Sequence, residues 1–481
     1  MLLVVLAPTE RPVAGYVAQS LNLTGTKVKL TSFYLAACHM QNKESQMTTP
    51  RPAVRLSYEM LANDDEGRMC RDISEEACNH QPQNFLRHAV ALGLSKSADG
   101  LANPKLVLSW LMTHLGAPAG LVGLLVPIRE AGALLPQLFT AARIRAMAQR
   151  KWAWTAAAFG QGAGVAIILA AALTLSGAAA GVVILLGLAI LALSRSVASV
   201  AYKDVLGKTI DKGQRGTVTG VAGSWSAMIV IIFALVLILF SEARAAVVLG
   251  ALALAACAWL LAGLTFAGLA EDKGAQDGGA NGFAAALANL GYLREDPQLL
   301  RFILARGLLT STALAPPYLV VLASGDGGAA LEGLGALVLA SALAALLSSY
   351  VWGRLADRSS RKVLIWTGIS GGGAMVLTLV FAALGLETTV WAMPLALFGL
   401  MIAHQGVRLG RATYLVDMVG QDRRAIYTAI ANTVIGVILL ASGVFGALAA
   451  LAGAATTMAL FACMAAGGAI TAYGLKELGN G

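Results

Sequence analysis

From residue 85 to residue 475 the sequence repeats one pattern, in which an apolar run of about 20 residues is followed by a short polar connection. A helix of that length rises about 30 Å, which is the thickness of the hydrocarbon core of a bilayer. Because lipid cannot hydrogen-bond to an open backbone, runs of this length favour membrane-spanning helices. We therefore predict an all-α integral membrane protein. The twelve predicted spans are 88–114, 118–142, 152–174, 179–201, 218–241, 245–269, 300–323, 333–353, 363–385, 389–410, 426–450 and 455–475.

The composition supports this class. Apolar residues make up 57% of the chain and charged residues only 13%, whereas soluble domains carry about a quarter of charged residues. The net charge of +9 would suggest a nucleic-acid partner in a soluble protein. In this chain the positive charge follows from the membrane topology, so we predict that the protein lies in a lipid bilayer and binds no nucleic acid.

Basic residues concentrate in the even-numbered connections between spans. The intervening connections contain one basic residue, Arg244. By the positive-inside rule, both termini and the even-numbered connections are predicted to be cytoplasmic in a multi-pass protein of the cell (inner) membrane. The basic residues that carry this prediction are Arg143, Arg145, Arg150, Lys151, Lys203, Lys208, Lys212, Arg215, Arg354, Arg358, Arg361, Lys362, Arg411, Arg423 and Arg424.

The spans form two sets of six that are related by an internal repeat. "PKLVL" at 104–108 recurs as "PYLVV" at 317–321, and Arg150-Lys151 recurs as Arg361-Lys362, each at an offset close to 211 residues. We predict two pseudo-symmetric six-helix bundles, as in many secondary transporters. The predicted domains are a polar, disordered cytoplasmic tail (1–84), a first bundle (85–270), a cytoplasmic central loop (271–299), a second bundle (300–475) and a cytoplasmic C-terminal tail (476–481).

The loop "GRLADRSSRK" at 353–362 resembles a motif of the major facilitator superfamily (MFS), and the twelve spans and the central loop are similar to that family as well. The resemblance implies an MFS fold, alternating access to one central cavity, and a gate latch at Gly353, Asp357, Arg358 and Arg361. The alternative is a loop whose charges only fix the topology. The first half departs from the motif, because "TAARIRAMAQRK" lacks its Gly and Asp.

Charged residues inside the spans are costly, and they usually face a cavity or one another. Lys105 lies 12 residues before the turn near Ala117 and Glu130 lies 13 residues after it, so both are about 18–20 Å from that turn. We predict a Lys105–Glu130 pair, with Arg129 turned toward the cavity or another helix. A structural ion pair, a role in substrate or proton coupling, and an error of register remain open as alternatives.

Other charged side chains fall on spans one, four, seven and ten, which line the cavity in the superfamily. We predict that Lys96 and Arg306 extend toward the cytoplasmic ends of their spans, and that Asp99 pairs with Lys96. Lys105, Arg195, Arg306, His404 and Arg408 would make the cavity basic, which favours an anionic or amphipathic anionic substrate. The full set of substrate or coupling candidates is Lys105, Arg129, Glu130, Asp99, Arg195, Arg306, His404 and Arg408.

The sequence contains no catalytic triad pattern, nucleotide-binding loop or set of metal ligands, so we predict no enzyme activity, cofactor or metal site. The predicted function is secondary active transport of a small solute by a monomer, coupled to ions or protons. A polytopic lipid-modifying enzyme and a non-transporting membrane sensor with a transporter-like body remain as alternatives.

Overall fold

The computed structural model describes residues 73–274, 290–323, 333–386, 389–419 and 421–478, together with Tyr58 and Ala288. Within these residues the chain is helical and contains no strand. The helices are α1 (Glu75–Leu101), α2 (Val107–His114), α3 (Ala119–Val122), α4 (Leu125–Leu134), α5 (Gln137–Arg145), α6 (Lys151–Thr174), α7 (Gly177–Thr209), α8 (Lys212–Leu239), α9 (Arg244–Ala267), α10 (Tyr292–Glu295), α11 (Pro297–Leu308), α12 (Ser311–Ala323), α13 (Leu334–Arg358), α14 (Ser360–Ala383), α15 (Ala392–Met418), α16 (Gln421–Ala441) and α17 (Val444–Tyr473).

Eight of the described helical segments are long and apolar enough to cross a membrane. They are α6, α7, α8, α9 with its preceding turn, α11 with α12, α14, α15 and α17. The bent series α3–α5 forms a ninth candidate, and α13 and α16 contain shorter apolar stretches. With the charge-bearing pair α1 and α2, these segments are consistent with twelve predicted spans and with the predicted all-α membrane fold.

The first predicted span is broken. The sequence predicts one helix over 88–114, whereas α1 ends at Leu101 and α2 begins at Val107. Pro104 lies in the break and accounts for it, because proline has no N–H and disfavours helical geometry at the preceding residue. In the break, Lys105 N donates to Asn103 Oδ1 at 2.9 Å. The break thus sets Lys105 on an irregular segment between two helices.

The first helix starts before the predicted end of the N-terminal tail. The tail was expected to extend to residue 84, but α1 begins at Glu75. Ser74 caps this helix, since its side chain accepts a hydrogen bond from Ala77 N at 3.1 Å, and two glutamates in the first turn favour the positive end of the helix dipole. The predicted disorder of residues 1–57 and 59–72 lies outside the described residues.

The second half contains a turn inside a helix. The predicted connection between spans eleven and twelve falls at Gly453 in α17, where the backbone is non-helical with φ 87°. Glycine tolerates this conformation because it has no Cβ. The helix before this turn is also interrupted, at Ser442–Gly443 between α16 and α17. The eleventh span therefore consists of α16 and the first part of α17.

A buried glutamate closes one end of the first half. The side chain of Glu271, which follows α9, accepts from the backbone N–H groups of Arg150 and Lys151 at 3.0 and 2.8 Å, and it pairs with Lys208 at 3.1 Å. We call the end of the bundle at which α6 begins and α9 ends the terminal end, and the opposite end the distal end. The glutamate thus joins the start of α6 to the end of α9.

The second half repeats this arrangement with Glu477, which follows α17. Its carboxylate pairs with Arg361 Nε at 3.3 Å and accepts from Ser359 Oγ at 2.5 Å. The paired arginines Arg150 and Arg361 are 211 residues apart, which is the offset of the sequence repeat. Each half is therefore fastened at its terminal end by a glutamate that follows its sixth span.

The two halves approach each other closely at the distal end. A Cβ added to Gly446 of α17 would lie 2.5 Å from the carbonyl oxygen of Gly120 in α3. A Cβ added to Gly335 at the start of α13 would lie 2.7 Å from the Ile238 side chain at the end of α8. Because these positions have no side chain, the backbones of the two halves can pack directly against each other there.

Candidate functional site

A cavity of ≈ 610 Å³ lies between the two halves. Helices α1, α4, α7 and α8 line it from the first half, and α11, α12, α13, α15 and α16 line it from the second. The structure brings all of the predicted substrate or coupling residues to the wall of this cavity. They are Lys105, Arg129, Glu130, Asp99, Arg195, Arg306, His404 and Arg408. Their participation in transport remains a prediction.

Two networks of ion pairs lie on the side of the cavity formed by the first half. Lys105 Nζ is 3.8 Å from Glu130 Oε1, which is the pair expected from the matched depth of the two residues. Arg129 Nη2 donates to Asp99 Oδ1 at 2.8 Å, and Arg195 pairs with the other oxygen of the same carboxylate. The adjacent residues Arg129 and Glu130 therefore serve two different partners, because neighbours on a helix point about 100° apart.

The predicted Lys96–Asp99 pair is wrong. Lys96 Nζ donates instead to the carbonyl oxygen of Thr219 at 3.1 Å. Asp99 lies between two arginines from other helices, and a bidentate-capable guanidinium is a stronger partner for a carboxylate than a lysine three residues away on the same helix. The short-range rule for helix pairs fails here because tertiary packing supplies better partners.

Arg306 is also placed differently from the expectation. The sequence suggested that Arg306 extends to the cytoplasmic end of its span, but its side chain is buried at 6% exposure and lines the cavity. Its Nη2 atom donates to Asn432 Oδ1 at 3.0 Å, and its buried Nε has no hydrogen-bond partner among the described residues. Arg306 therefore contributes a guanidinium group to the cavity wall.

Among the described residues, a hydrogen bond joins the two halves inside the cavity. Lys105 Nζ is 2.9 Å from His404 Nε2 of α15. On the other side of the ring, His404 Nδ1 is 3.3 Å from Thr312 Oγ1 of α12. Lys105 therefore contacts both Glu130 in its own half and His404 in the other half.

The sequence analysis missed Arg411 as a cavity residue. Arg411 was assigned to a cytoplasmic connection, but α15 continues to Met418 and Arg411 lines the cavity. The signal was present in the spacing, because His404, Arg408 and Arg411 follow the i, i+4, i+7 pattern of one helix face. No acidic side chain forms an ion pair with Arg306, Arg408 or Arg411 within the described part of the chain.

The cavity is strongly positive. Seven lysines and arginines and two carboxylates line it, so its formal charge is +5 with His404 neutral. The first half contributes both carboxylates. The cationic residues are Lys96, Lys105, Arg129, Arg195, Arg306, Arg408 and Arg411.

The motif loop at 353–362 makes its described contacts within the second half. Besides its pair with Glu477, Arg361 donates to the Leu475 carbonyl oxygen at 3.0 Å and lies 5.7 Å from the centre of the Tyr473 ring. The Arg358 side chain is exposed, and Gly353 lies in α13 with open space where a Cβ would be. The Asp357 side chain lies outside the described residues. The latch to the other half remains a prediction.

A bundle of membrane-spanning helices in two halves, with a polar cavity between them, is typical of solute transporters. The sequence matches the Major Facilitator Superfamily over residues 89–437. This chain belongs to that family, and it is a multi-pass membrane protein.

Several solved structures with a similar fold are transporters. The nucleoside transporter NupG (D323A mutant) gives a TM-score of 0.59 at 12% identity, covering 81% of this chain and 99% of that chain. A POT family transporter in complex with 5-aminolevulinic acid gives 0.60 at 11%, covering 80% and 94%. The xylose transporter XylE from E. coli, in a partially occluded inward open conformation, gives 0.57 at 10%, covering 82% and 98%. No curated protein sequence matches the chain.

Proposed function

We propose that this chain is a secondary active transporter that moves a small anionic solute across the cytoplasmic membrane by alternating access, with proton coupling. The observation that carries the proposal is the formal charge of +5 on a cavity enclosed by both halves. Because charge in a membrane interior is costly, an excess of this size favours a ligand that brings negative charge.

The uncompensated charge points to the position of the solute. Arg306, Arg408 and Arg411 all lie on the second half, and none of them forms a close ion pair among the residues that the structure describes. Glu130 of the first half interacts with Arg408 and Arg411 only at longer range. Guanidinium groups bind carboxylate and phosphate oxygens through two parallel hydrogen bonds. These three arginines therefore form the best site for the anionic group of the solute.

The contacts between the halves support alternating access. The close glycine contacts, at Gly120–Gly446 and Gly335–Ile238, lie at the distal end. With the topology that the positive-inside rule predicts, the distal end faces away from the cytoplasm. The structure then corresponds to a form that is closed on the outside, from which rocking of the two halves would expose the cavity to the other side.

The proposal is tested by uptake into proteoliposomes with a panel of labelled organic anions, organic cations and neutral solutes of similar size. We expect saturable uptake of at least one anion class, and we expect a protonophore to abolish its accumulation. Preference for cations, or uptake of none of the anions, would overturn the proposal.

Substitutions separate a role in binding from a general effect of charge. Arg408→Ala and Arg411→Ala each remove a charged donor, which is worth about 1.5–3 kcal/mol, so the apparent affinity for the anion should fall by at least about tenfold. Arg143→Ala is the matched control, because Arg143 is exposed on α5 and does not line the cavity. It should leave the affinity unchanged, and equal losses in all three variants would contradict the assignment.

A further inference from the structure

The hydrogen bond between Lys105 and His404 is a contact in the cavity whose donor and acceptor can be assigned. It links the segment between α1 and α2 to α15, at 2.9 Å from Nζ to Nε2, and so it connects the two halves. Lys105 also pairs with Glu130, an interaction that requires the ammonium form of the lysine. Lys105 is therefore the donor of the bond across the halves.

The neighbouring threonine fixes the tautomer of His404. Thr312 Oγ1 donates its single hydrogen to the Leu309 carbonyl oxygen at 2.9 Å. Its oxygen can then only accept from His404 Nδ1, which lies 3.3 Å away. The hydrogen of the neutral imidazole is consequently on Nδ1, and Nε2 presents a lone pair to Lys105.

A proton on His404 and the bond to Lys105 exclude each other. If Nε2 takes a proton from a hydronium ion that enters the cavity, an N–H bond forms on Nε2 and a water molecule is left. The lone pair of Nε2 is then used in that bond, and the hydrogen bond from Lys105 breaks. Two cationic donors then face each other across the halves. Lys105, Arg408 and Arg411 face His404, the latter two from its own helix, and Glu130 of α4 lies behind Lys105.

We propose that His404 is the site of the coupled proton, and that binding of this proton breaks the Lys105–His404 bond and so releases the closed distal end. This inference rests on the proposed transport function and names the residue that couples it. An anion held by Arg408 and Arg411 would offset the repulsion at His404, so the solute and the proton would be carried together. His404 acts by controlling the position of the two halves relative to each other.

The test uses the full chain in lipid nanodiscs, without any solute. Spin labels are placed at Leu173 and Leu384, which end α6 and α14 at the distal end, lie one repeat offset of 211 residues apart, and are 64% and 66% exposed. The native cysteines are replaced by serine. Because Lys105, Arg408 and Arg411 face His404 and no anion is present, the pH is lowered in steps from about 8 to about 4.5, which extends below the usual titration range of histidine. We expect the distance distribution between the labels to shift toward longer distances within this range.

Two cavity variants and one control identify the responsible residue. His404→Gln keeps an acceptor for Lys105 but binds no proton, so its distribution should stay at the high-pH form. Lys105→Gln supplies an amide that can either donate to neutral histidine or accept from protonated histidine, so its response to pH should also be lost. His114→Gln is the control, because His114 is exposed at the end of α2 and should leave the response intact.

A wild-type distribution that does not change with pH would overturn the proposal, and so would a response that survives in either cavity variant. Since no solute is present, these results are independent of the uptake assay. A normal pH response without anion uptake would overturn the proposed substrate and leave the role of His404 standing. Anion uptake with no pH response would support the proposed substrate and overturn the role of His404.

Discussion

The two halves of the molecule share a framework, but they present different charges to the cavity between them. Each half closes its terminal end with a glutamate after the sixth span, Glu271 in the first and Glu477 in the second. In the cavity, the first half contributes Asp99 and Glu130, both in ion pairs with neighbouring cations. The second half contributes arginines and His404 but no carboxylate to the described lining.

This difference indicates how a repeated framework acquires a specific site. Contacts that hold a bundle together can be repeated, because both bundles face the same packing problem. The charges in the cavity do not repeat, because one solute occupies one site between two unlike walls. The wall of the first half is partly compensated, because two carboxylates offset part of the charge of its four cations. The described wall of the second half carries three arginines and no carboxylate, so a ligand that brings negative charge can complete it.

The largest expected effect comes from removing the shared carboxylate of the first half. Asp99→Asn removes the carboxylate with which both Arg129 and Arg195 pair. Breaking a buried pair costs about 3–5 kcal/mol, and since the Asp99 side chain is one-fifth exposed, we expect the low end, a loss of about 3 kcal/mol in the free energy of unfolding. Unfolding in mixed micelles with increasing SDS would measure it.

The matched substitution in the second half is Asn432→Ala, which removes a neutral acceptor from Arg306. It should cost about 1 kcal/mol, the usual value of a single hydrogen bond. Equal losses for the two variants would contradict the distinction between a wall that contains carboxylates and a wall that contains none.

The next effect concerns the distal contact between the halves. Gly446→Ala places a methyl group 2.5 Å from the Gly120 carbonyl oxygen, whereas Gly120→Ala places one 3.4 Å from the Gly446 oxygen. Overpacking of the first kind costs about 1–3 kcal/mol, so we expect Gly446→Ala to shift the equilibrium away from the closed distal end by about 2 kcal/mol. Gly120→Ala should have a smaller effect.

The Leu173–Leu384 label distance reports this shift. Gly373→Ala is the control, because Gly373 lies in α14 with open space where the added methyl group would point, and the substitution should not alter the distribution. If Gly446→Ala left the distance distribution unchanged, the glycine contact would have no part in closing the distal end.

Much of the fold could be predicted from the sequence, because apolar length and charge distribution are local properties. The depth of Lys105 and Glu130 followed from counting residues along two helices, and the structure places them 3.8 Å apart. The partners of Asp99 could not be found this way, since Arg129 and Arg195 reach it from other helices. Local spacing favoured Lys96 instead.

Two other features required knowledge of the packing. The Lys105–His404 bond joins residues 299 positions apart in different halves, and no sequence period predicts which faces of the two bundles meet. Arg411 was assigned to a connection because the apolar run ends near residue 410. The next glycine or proline in the sequence is Gly420, however, and α15 continues to Met418. Its place in the cavity follows from that continuation.

The smallest expected effect tests the shared framework itself. The Glu271 side chain is fully buried and accepts from two backbone N–H groups, so Glu271→Ala should cost about 1.5 kcal/mol, near the upper range for the loss of a helix cap. The Glu477 side chain is 37% exposed and pairs mainly with Arg361, so Glu477→Ala should cost about 0.5 kcal/mol.

Thermal unfolding of the two variants in the same detergent would rank them. A larger loss for Glu477→Ala would mean that the terminal end of the second half carries more of the stability than its exposure indicates. Since Arg361 belongs to the motif loop, a change in transport without a change in stability in Glu477→Ala would assign that contact to the conformational cycle. Glu271 and Glu477 would then occupy equivalent positions, but Glu271 would stabilise the fold and Glu477 would act in the conformational cycle.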